Sequence, residues 1–131
     1  MDPALTAPEA ARVLRTGGAL TLAWNEPDMD IPWVAELVRL TSDENPLVTS
    51  EAEHDSPPAP FRKYDTNSFA WVQPLAGPEE LVDLAGTWSW VALHPRRQTI
   101  LDAVGKLGAS IQARDGAVRV PHRCHCIRYT L

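Results

Sequence analysis

The clearest pattern in the chain is an amphipathic stretch followed directly by an apolar one, within Pro8–Asn25. The first part carries apolar residues at helical spacing, namely Ala10, Val13 and Leu14. The second part, Ala19–Trp24, is apolar at every position except Thr21. The first pattern predicts a short helix, and the second predicts a strand covered on both faces, as in a parallel sheet. Gly17 and Gly18 predict the tight turn that joins the two.

The start of this helix is predicted by a local capping pattern. Thr6 and Glu9 have the spacing of a capping box, in which each side chain bonds the backbone N–H of the other residue. Pro8 then falls in the first turn, where its missing N–H costs no hydrogen bond. The sequence therefore predicts a helix that begins at this capping box.

The remaining elements follow from similar patterns, with apolar residues recurring every three or four positions in helices and alternating in strands. They are a helix over 32–41, a strand over 68–73, a helix over 78–86, an extended or loop segment over 87–93, a helix over 95–107 and, over 118–131, a closing strand pair or a single bent strand. Pro32 and Pro78 stand in the first turns of their helices, and Gly86 ends the second of these. This order of helices and strands predicts an α/β fold.

Residues 43–65 form a long segment that is rich in proline and in acidic residues and is predicted to lack regular structure. Loops of this length in compact domains are usually lids, binding loops or solvated segments. The chain is therefore interpreted as one partial domain, 1–131, with a variable loop or lid over 43–65.

Polar residues follow the predicted strand Ala19–Trp24 without a break. Asn25 is the first of them, and Glu26, Asp28 and Asp30 make the following turn acidic. In open α/β sheets ligands bind beyond the carboxyl ends of the strands, so this turn predicts one edge of a binding site. The acids could hold a cation, act as a general base, or serve only the N-terminus of the next helix. Asn25 could bind a ligand or satisfy the turn.

Five tryptophans are many for a chain of 131 residues. Trp33 and Trp71 are predicted to pack in the core. Tryptophan is also favoured in binding pockets and at interfaces, and three tryptophans lie beside the predicted strand end or beside Gly86. The candidate substrate-binding residues are therefore Trp24, Asn25, Glu26, Trp88 and Trp90, while the sequence assigns no catalytic residue.

A second group of residues whose side chains could bind a metal ion or react is the run His122, Cys124, His125 and Cys126. On a strand, His125 would point away from the face that the other three share. Zinc sites usually combine two separated ligand pairs, and no second pair exists, so no metal site is predicted. Because the cysteines form no disulfide framework, the reducing cytoplasm is the expected compartment. A small metal or redox protein is an alternative that would rest on these cysteines alone.

Charge and hydropathy argue against several other classes of protein. A net charge of −5 disfavours a nucleic-acid-binding surface. No run of about 18 apolar residues occurs, so no membrane-spanning helix is expected. The first residues lack the basic region of a signal peptide. The sequence therefore predicts a cytoplasmic protein that binds neither nucleic acid nor membrane.

Several motifs together resemble one family. The pattern A-R-V-L-R-x-G-G-A-L-x-L-x-W-N over 11–25 resembles the unit that leads into the fifth strand of class I S-adenosylmethionine-dependent methyltransferases of the small-molecule type. Thr16 stands where that family usually has proline. Further resembling segments span the chain: MDPA at its start, Pro32-Trp33, FAWVQPL at Phe69–Leu75, PEELVDLAGTWSWVAL and VPHRCHCIRYTL.

The resemblance implies the C-terminal half of a Rossmann-like fold, with a mixed partial sheet and flanking helices. The family binds its cofactor with a glycine-rich loop after the first strand and an acidic residue after the second, in the order strand, glycine-rich loop, helix. Gly17 and Gly18 stand in the opposite order, after a helix and before a strand. The resemblance therefore implies that the cofactor-binding N-terminal half is absent from this chain.

Two functions follow from the resemblance. The first is a fragment or subunit of a methyltransferase that supplies the substrate side of the pocket, is inactive alone, and uses S-adenosylmethionine only together with the missing half. The second is a non-catalytic interaction or regulatory protein derived from such a half. In both, an open sheet edge is expected to bind a complementary N-terminal half or a second copy of the chain.

Overall fold

The computed structural model describes residues 3–42 and 57–131, which contain five helices and three strands. These residues divide into two compact units. The first unit comprises residues 3–26, 57–69 and 124–131, and the second comprises residues 27–42 and 70–123. Within the described residues, no helix combines the length and the apolar character needed to cross a membrane.

The strands are β1 (Ala19–Pro27), β2 (Lys63–Leu75) and β3 (Val118–Thr130). They form one sheet in the order β1-β3-β2, so the last strand in the chain lies between the other two. β3 is a single strand through Pro121, which decides between the two alternatives that the sequence left open. β1 and β2 are the edge strands of the described sheet.

Backbone hydrogen bonds at the strand ends give the strand directions. The N–H of Asp28, just after β1, donates to the carbonyl of Pro121 near the start of β3, at 2.9 Å. The N–H of Arg62, just before β2, donates to the carbonyl of Thr130 at the end of β3, at 3.0 Å. Both neighbouring pairs are therefore antiparallel. The mixed sheet that the sequence predicted is wrong for the described strands, because β3 runs against both of its neighbours.

The first unit packs α1 (Pro3–Val13) against its part of the sheet. Its core is formed by four buried residues, Ala7, Phe61, Ile127 and Tyr129. The residues of β1 alternate between partial burial and exposure, with Leu20 and Leu22 packed on this core and Thr21 and Ala23 exposed. The prediction that β1 is covered on both faces is therefore wrong within the described residues, because an antiparallel sheet can leave one face open.

The helix α1 begins at Pro3, before the predicted capping box at Thr6, and Pro8 lies inside it. Ala7 is only 2% exposed and packs in the core of the first unit. Leu5, in the turn that precedes the predicted start, is 74% exposed. The predicted helix start at the capping box is therefore wrong by about one turn.

The second unit is mainly helical, with α2 (Pro32–Ser42), α3 (Pro78–Thr87), α4 (Ser89–Ala92) and α5 (Arg97–Asp115). The bounds predicted for α2 and α3 agree with the structure to within a residue. The segment over 87–93, predicted as extended or as a loop, contains the short helix α4. The largest difference is α5, which continues well beyond its predicted end at Leu107.

The core of the second unit joins these helices to the start of β3. Its fully buried members include Leu37, Leu81, Val91, Val104, Val118 and Val120. The buried residues of β3 are even-numbered at its start and odd-numbered near its end. Val118 and Val120 belong to this core, whereas Ile127 and Tyr129 belong to the core of the first unit.

Most of the predicted variable loop, residues 43–56, lies outside the described residues. The described remainder contains Phe61, which is 4% exposed and belongs to the core of the first unit. β2 begins at Lys63, inside the range predicted as a loop. Strand β2 therefore starts earlier in the chain than the composition of this segment indicated.

Candidate functional site

The end of β1 brings together two of the predicted site residues. Trp24 and Glu26 lie on the same face of the strand, because side chains alternate along it, and both are partly buried. The indole Nε1 of Trp24 donates a hydrogen bond to Oε1 of Glu26 at 3.0 Å. Asn25 lies between them, points to the opposite face and is exposed. The structure therefore separates Asn25 from the other two residues.

His125 on β3 completes this group, which we call the Trp24 cluster: Trp24, Glu26 and His125. The His125 ring stacks on the Trp24 ring, with 5.6 Å between centroids and 23° between planes. His125 Nε2 lies 3.4 Å from Oε2 of Glu26, within ion-pair distance when the imidazole is protonated. The sequence analysis did not name His125 as a site residue, although it placed His125 on the opposite face from its cysteine neighbours, and that is the face Trp24 occupies.

The Trp24 cluster has the parts of an acid–base site. One carboxylate oxygen of Glu26 is held by the indole, and the other faces the imidazole. A carboxylate in this position can fix the orientation of the imidazole ring, as orienting acids do in catalytic dyads. The side chain of His125 is 22% exposed, so the ring is neither fully buried nor fully solvated. The group can hold or accept a proton beside a flat aromatic surface.

The two aspartates of the acidic turn after β1 share one basic partner in the second unit. Arg123 Nε lies 3.3 Å from Oδ2 of Asp28, and Arg123 Nη2 lies 3.2 Å from Oδ2 of Asp30. Asp28 is nearly buried and its Oδ1 also accepts the N–H of Asp30. Among the described residues, no group of three or more His, Cys, Asp or Glu side chains is placed to hold a metal ion. The turn is therefore explained by charge pairing and by its own backbone.

Trp88 and Trp90 belong to the second unit, on either side of the start of α4. Their rings contact each other at 5.3 Å between centroids, and both pack against the core of that unit. Nε1 of Trp90 is buried and has no hydrogen-bond partner among the described residues. Their contribution to a ligand site stays a prediction.

The second unit also holds an aromatic pair that the sequence analysis did not identify. Trp71 on β2 stacks on His122 of β3, with 4.8 Å between centroids, and Nε2 of His122 lies 3.1 Å from Oε1 of Gln73. Trp71 is 39% exposed, so the predicted core position is only half correct for this side chain.

The two cysteines lie on the same side of β3, as alternation predicts. Their Sγ atoms are 4.0 Å apart, and both side chains are partly exposed. Loss of solvation, followed by the hydrogen bond and charge of Cys124, raises the pKa of the Cys126 thiol above its ordinary value. Cys126 is therefore mostly a thiol at neutral pH, which disfavours a nucleophilic or redox-catalytic role.

Comparison with known proteins gives one clear relationship. The chain is 33% identical over 135 aligned residues to proteins named uncharacterized methyltransferase from Mycobacterium bovis and Mycobacterium tuberculosis. The alignment includes the whole of this chain but 54% of each relative, so the chain spans about half the length of the curated relatives it matches. No protein-family model matches the chain.

Proposed function

We propose that the chain is part of a class I S-adenosylmethionine-dependent methyltransferase and corresponds to the C-terminal half of its fold. The observation that carries this proposal is similarity along the whole chain to proteins that are nearly twice as long and are named methyltransferases. The resemblance of the helix–turn–strand unit that ends at Asn25 supports the class. The antiparallel position of β3 between β1 and β2 is compatible with a partial sheet.

The described residues do not fit a complete cofactor site. The turn from β1 to α2 contains no glycine, and the turn from β2 to α3 contains only Gly77. A glycine-rich loop is what lets the backbone approach a bound dinucleotide-like ligand closely. S-adenosylmethionine would therefore bind mainly to the other half of the protein.

In this proposal the chain contributes the side of the pocket that meets the methyl acceptor. The Trp24 cluster offers an aromatic face and the Glu26–His125 pair beside it. Trp24 would orient a flat acceptor, and His125 would take the proton that the acceptor nucleophile loses, with Glu26 holding the ring. Positioning of the acceptor would supply most of the rate enhancement.

The complementary half would pair along β1. β1 is an edge strand, and such edges present unpaired backbone groups that add a further strand readily. The length of the relatives supports a missing region of about the same size as this chain. The same edge could pair with a second copy of the chain.

The test begins with S-adenosylmethionine titrated into the isolated chain, with tryptophan fluorescence as the signal. We expect no saturable change, because the cofactor site lies elsewhere. The chain is then mixed with the region of the M. tuberculosis relative that it does not match. We expect a stable complex that binds the cofactor, and saturable binding by the isolated chain would refute the proposal.

A matched pair of variants tests the edge. Ala23→Pro is expected to prevent assembly, because proline cannot donate a ladder hydrogen bond, whereas Ala23→Ser should assemble normally. Circular dichroism checks that the proline variant keeps its strands. Assembly that is equal in both variants would place the contact somewhere other than β1.

A non-catalytic interaction protein is the second candidate. It is favoured by Trp71 and Val72, which are 39% and 51% exposed on the edge strand β2 and would suit a protein contact. A complex that assembles through β1 or β2 but neither binds the cofactor nor transfers a methyl group would support this function instead.

A further inference from the structure

We propose that Cys124 and Cys126 form a site for a soft monovalent metal ion, Cu(I), on the first unit. Both thiols project from the same side of β3 and are partly exposed. This site is separate from the Trp24 cluster, since His125 lies between the two cysteines in sequence and points to the other face. The proposal is independent of methyl transfer.

The two sulfur atoms are within thiol–thiol hydrogen-bond distance, which is also short enough for both to reach one ion. The Sγ atoms are 4.0 Å apart, whereas a disulfide requires about 2.05 Å. If each sulfur lay about 2.3 Å from a common ion, as in thiolate–metal sites, this separation would correspond to an S–metal–S angle of about 120°. Such an angle suits two ligands of a three-coordinate ion, or a two-coordinate ion after small side-chain rotations.

The number of ligands selects the kind of ion. Structural zinc sites take four protein ligands and catalytic ones take three. No third His, Cys, Asp or Glu in the described part of the chain joins the two cysteines in a metal-holding group. Cu(I) prefers soft thiolates and is satisfied by two or three of them. Two cysteines on one strand therefore suit Cu(I) better than Zn(II).

The face of the sheet that carries the two cysteines also carries exposed residues of β1. Trp24 and His125 stack on one face, so the cysteines share the other face with the alternate residues of β1. Those residues include Thr21, Ala23 and Asn25, which are exposed and have short side chains. Binding converts two thiols and one Cu(I) ion into a bis-thiolate complex with a charge of −1 and releases two protons. No oxidant or reductant is consumed.

The experiment titrates the reduced chain, without oxygen, against Cu(I) held by the coloured chelator bicinchoninate. We expect the chain to withdraw one copper ion and to keep the elution volume of the copper-free chain by size-exclusion chromatography. Cys124→Ser and Cys126→Ser should each lose this binding. Met29→Leu, which removes an exposed soft thioether elsewhere in the chain, should bind as the parent does.

Each other outcome contradicts the proposal. Binding that persists in either serine variant would mean that the two thiols do not act together. One copper ion for two chains, with a shift to a dimer, would mean that the ion bridges molecules. If the chain retained Zn(II) as well as it retains Cu(I), two cysteine ligands would not select Cu(I). Circular dichroism of the serine variants ensures that a loss of binding is not a loss of folding.

Discussion

The close approach of α3 to α5 predicts which of two glycine-to-alanine substitutions in α5 gives the less stable protein. A Cβ atom added at Gly108 would lie 3.1 Å from Cβ and 3.2 Å from Cα of Pro78, and 3.2 Å from a methyl carbon of Leu81. A Cβ atom added at Gly105 would meet only a methyl carbon of Val82, at 3.4 Å. Both glycines lie inside α5, so Gly105→Ala is a matched control for Gly108→Ala.

The two substitutions share the same gain and differ in cost. Replacing glycine by alanine inside a helix stabilises it by about 1 kcal/mol. At Gly105 the new methyl group makes an ordinary contact, so most of this gain should remain. At Gly108 the obstacle is the backbone and rigid ring of Pro78, and overpacking of this kind costs about 1–3 kcal/mol. We therefore expect the free energy of unfolding of Gly108→Ala to lie about 1–3 kcal/mol below that of Gly105→Ala.

Equilibrium urea unfolding followed by circular dichroism measures this difference. With a slope of about 1–3 kcal/mol per molar urea, the two midpoints should differ by roughly 1 M, with Gly105→Ala the more stable. An unchanged slope in both variants would show that the unfolding reaction is the same. If Gly108→Ala were as stable as Gly105→Ala, the close packing of α3 on α5 at Gly108 would be contradicted.

Two further predictions concern charge and pH. Arg123→Met should lower the free energy of unfolding by about 1–3 kcal/mol, because it leaves the nearly buried carboxylate of Asp28 without its cation. Asp30→Asn should lower it by less than about 1 kcal/mol, because the side chain of Asp30 is exposed. Urea unfolding compares the two, and equal costs would contradict this explanation. Burial, and secondarily the charge of Tyr64, raise the pKa of Tyr129, so the folded state holds that proton more tightly than the unfolded chain does. Stability should therefore be full below the range of tyrosine ionisation and fall as the pH rises through it, and Tyr129→Phe should flatten that fall in unfolding measured at several alkaline pH values.

The Trp24 cluster illustrates how far the sequence leads toward a site. The polar break after an apolar strand predicts Trp24 and Glu26 as candidate site residues, because strand ends are where ligands collect in α/β folds. The structure places these two side chains in contact. The polar break could not select His125, which is distant in sequence and reaches them only because β3 pairs with β1. It also grouped Asn25 with its neighbours, although alternation along β1 turns that side chain to the other face.

Local patterns by themselves determined where most elements lie, because helical spacing, alternation and proline or glycine boundaries act over a few residues. They predicted α2 and α3 closely and placed a strand after Gly18. The tertiary structure alone decided the rest. The order β1-β3-β2 and the antiparallel directions depend on pairing between segments that are distant in sequence, such as Asp28 with Pro121 and Arg62 with Thr130. The continuation of α5 past Leu107 depends on burial of Gly108 and Ile111 against partners that no local pattern contains.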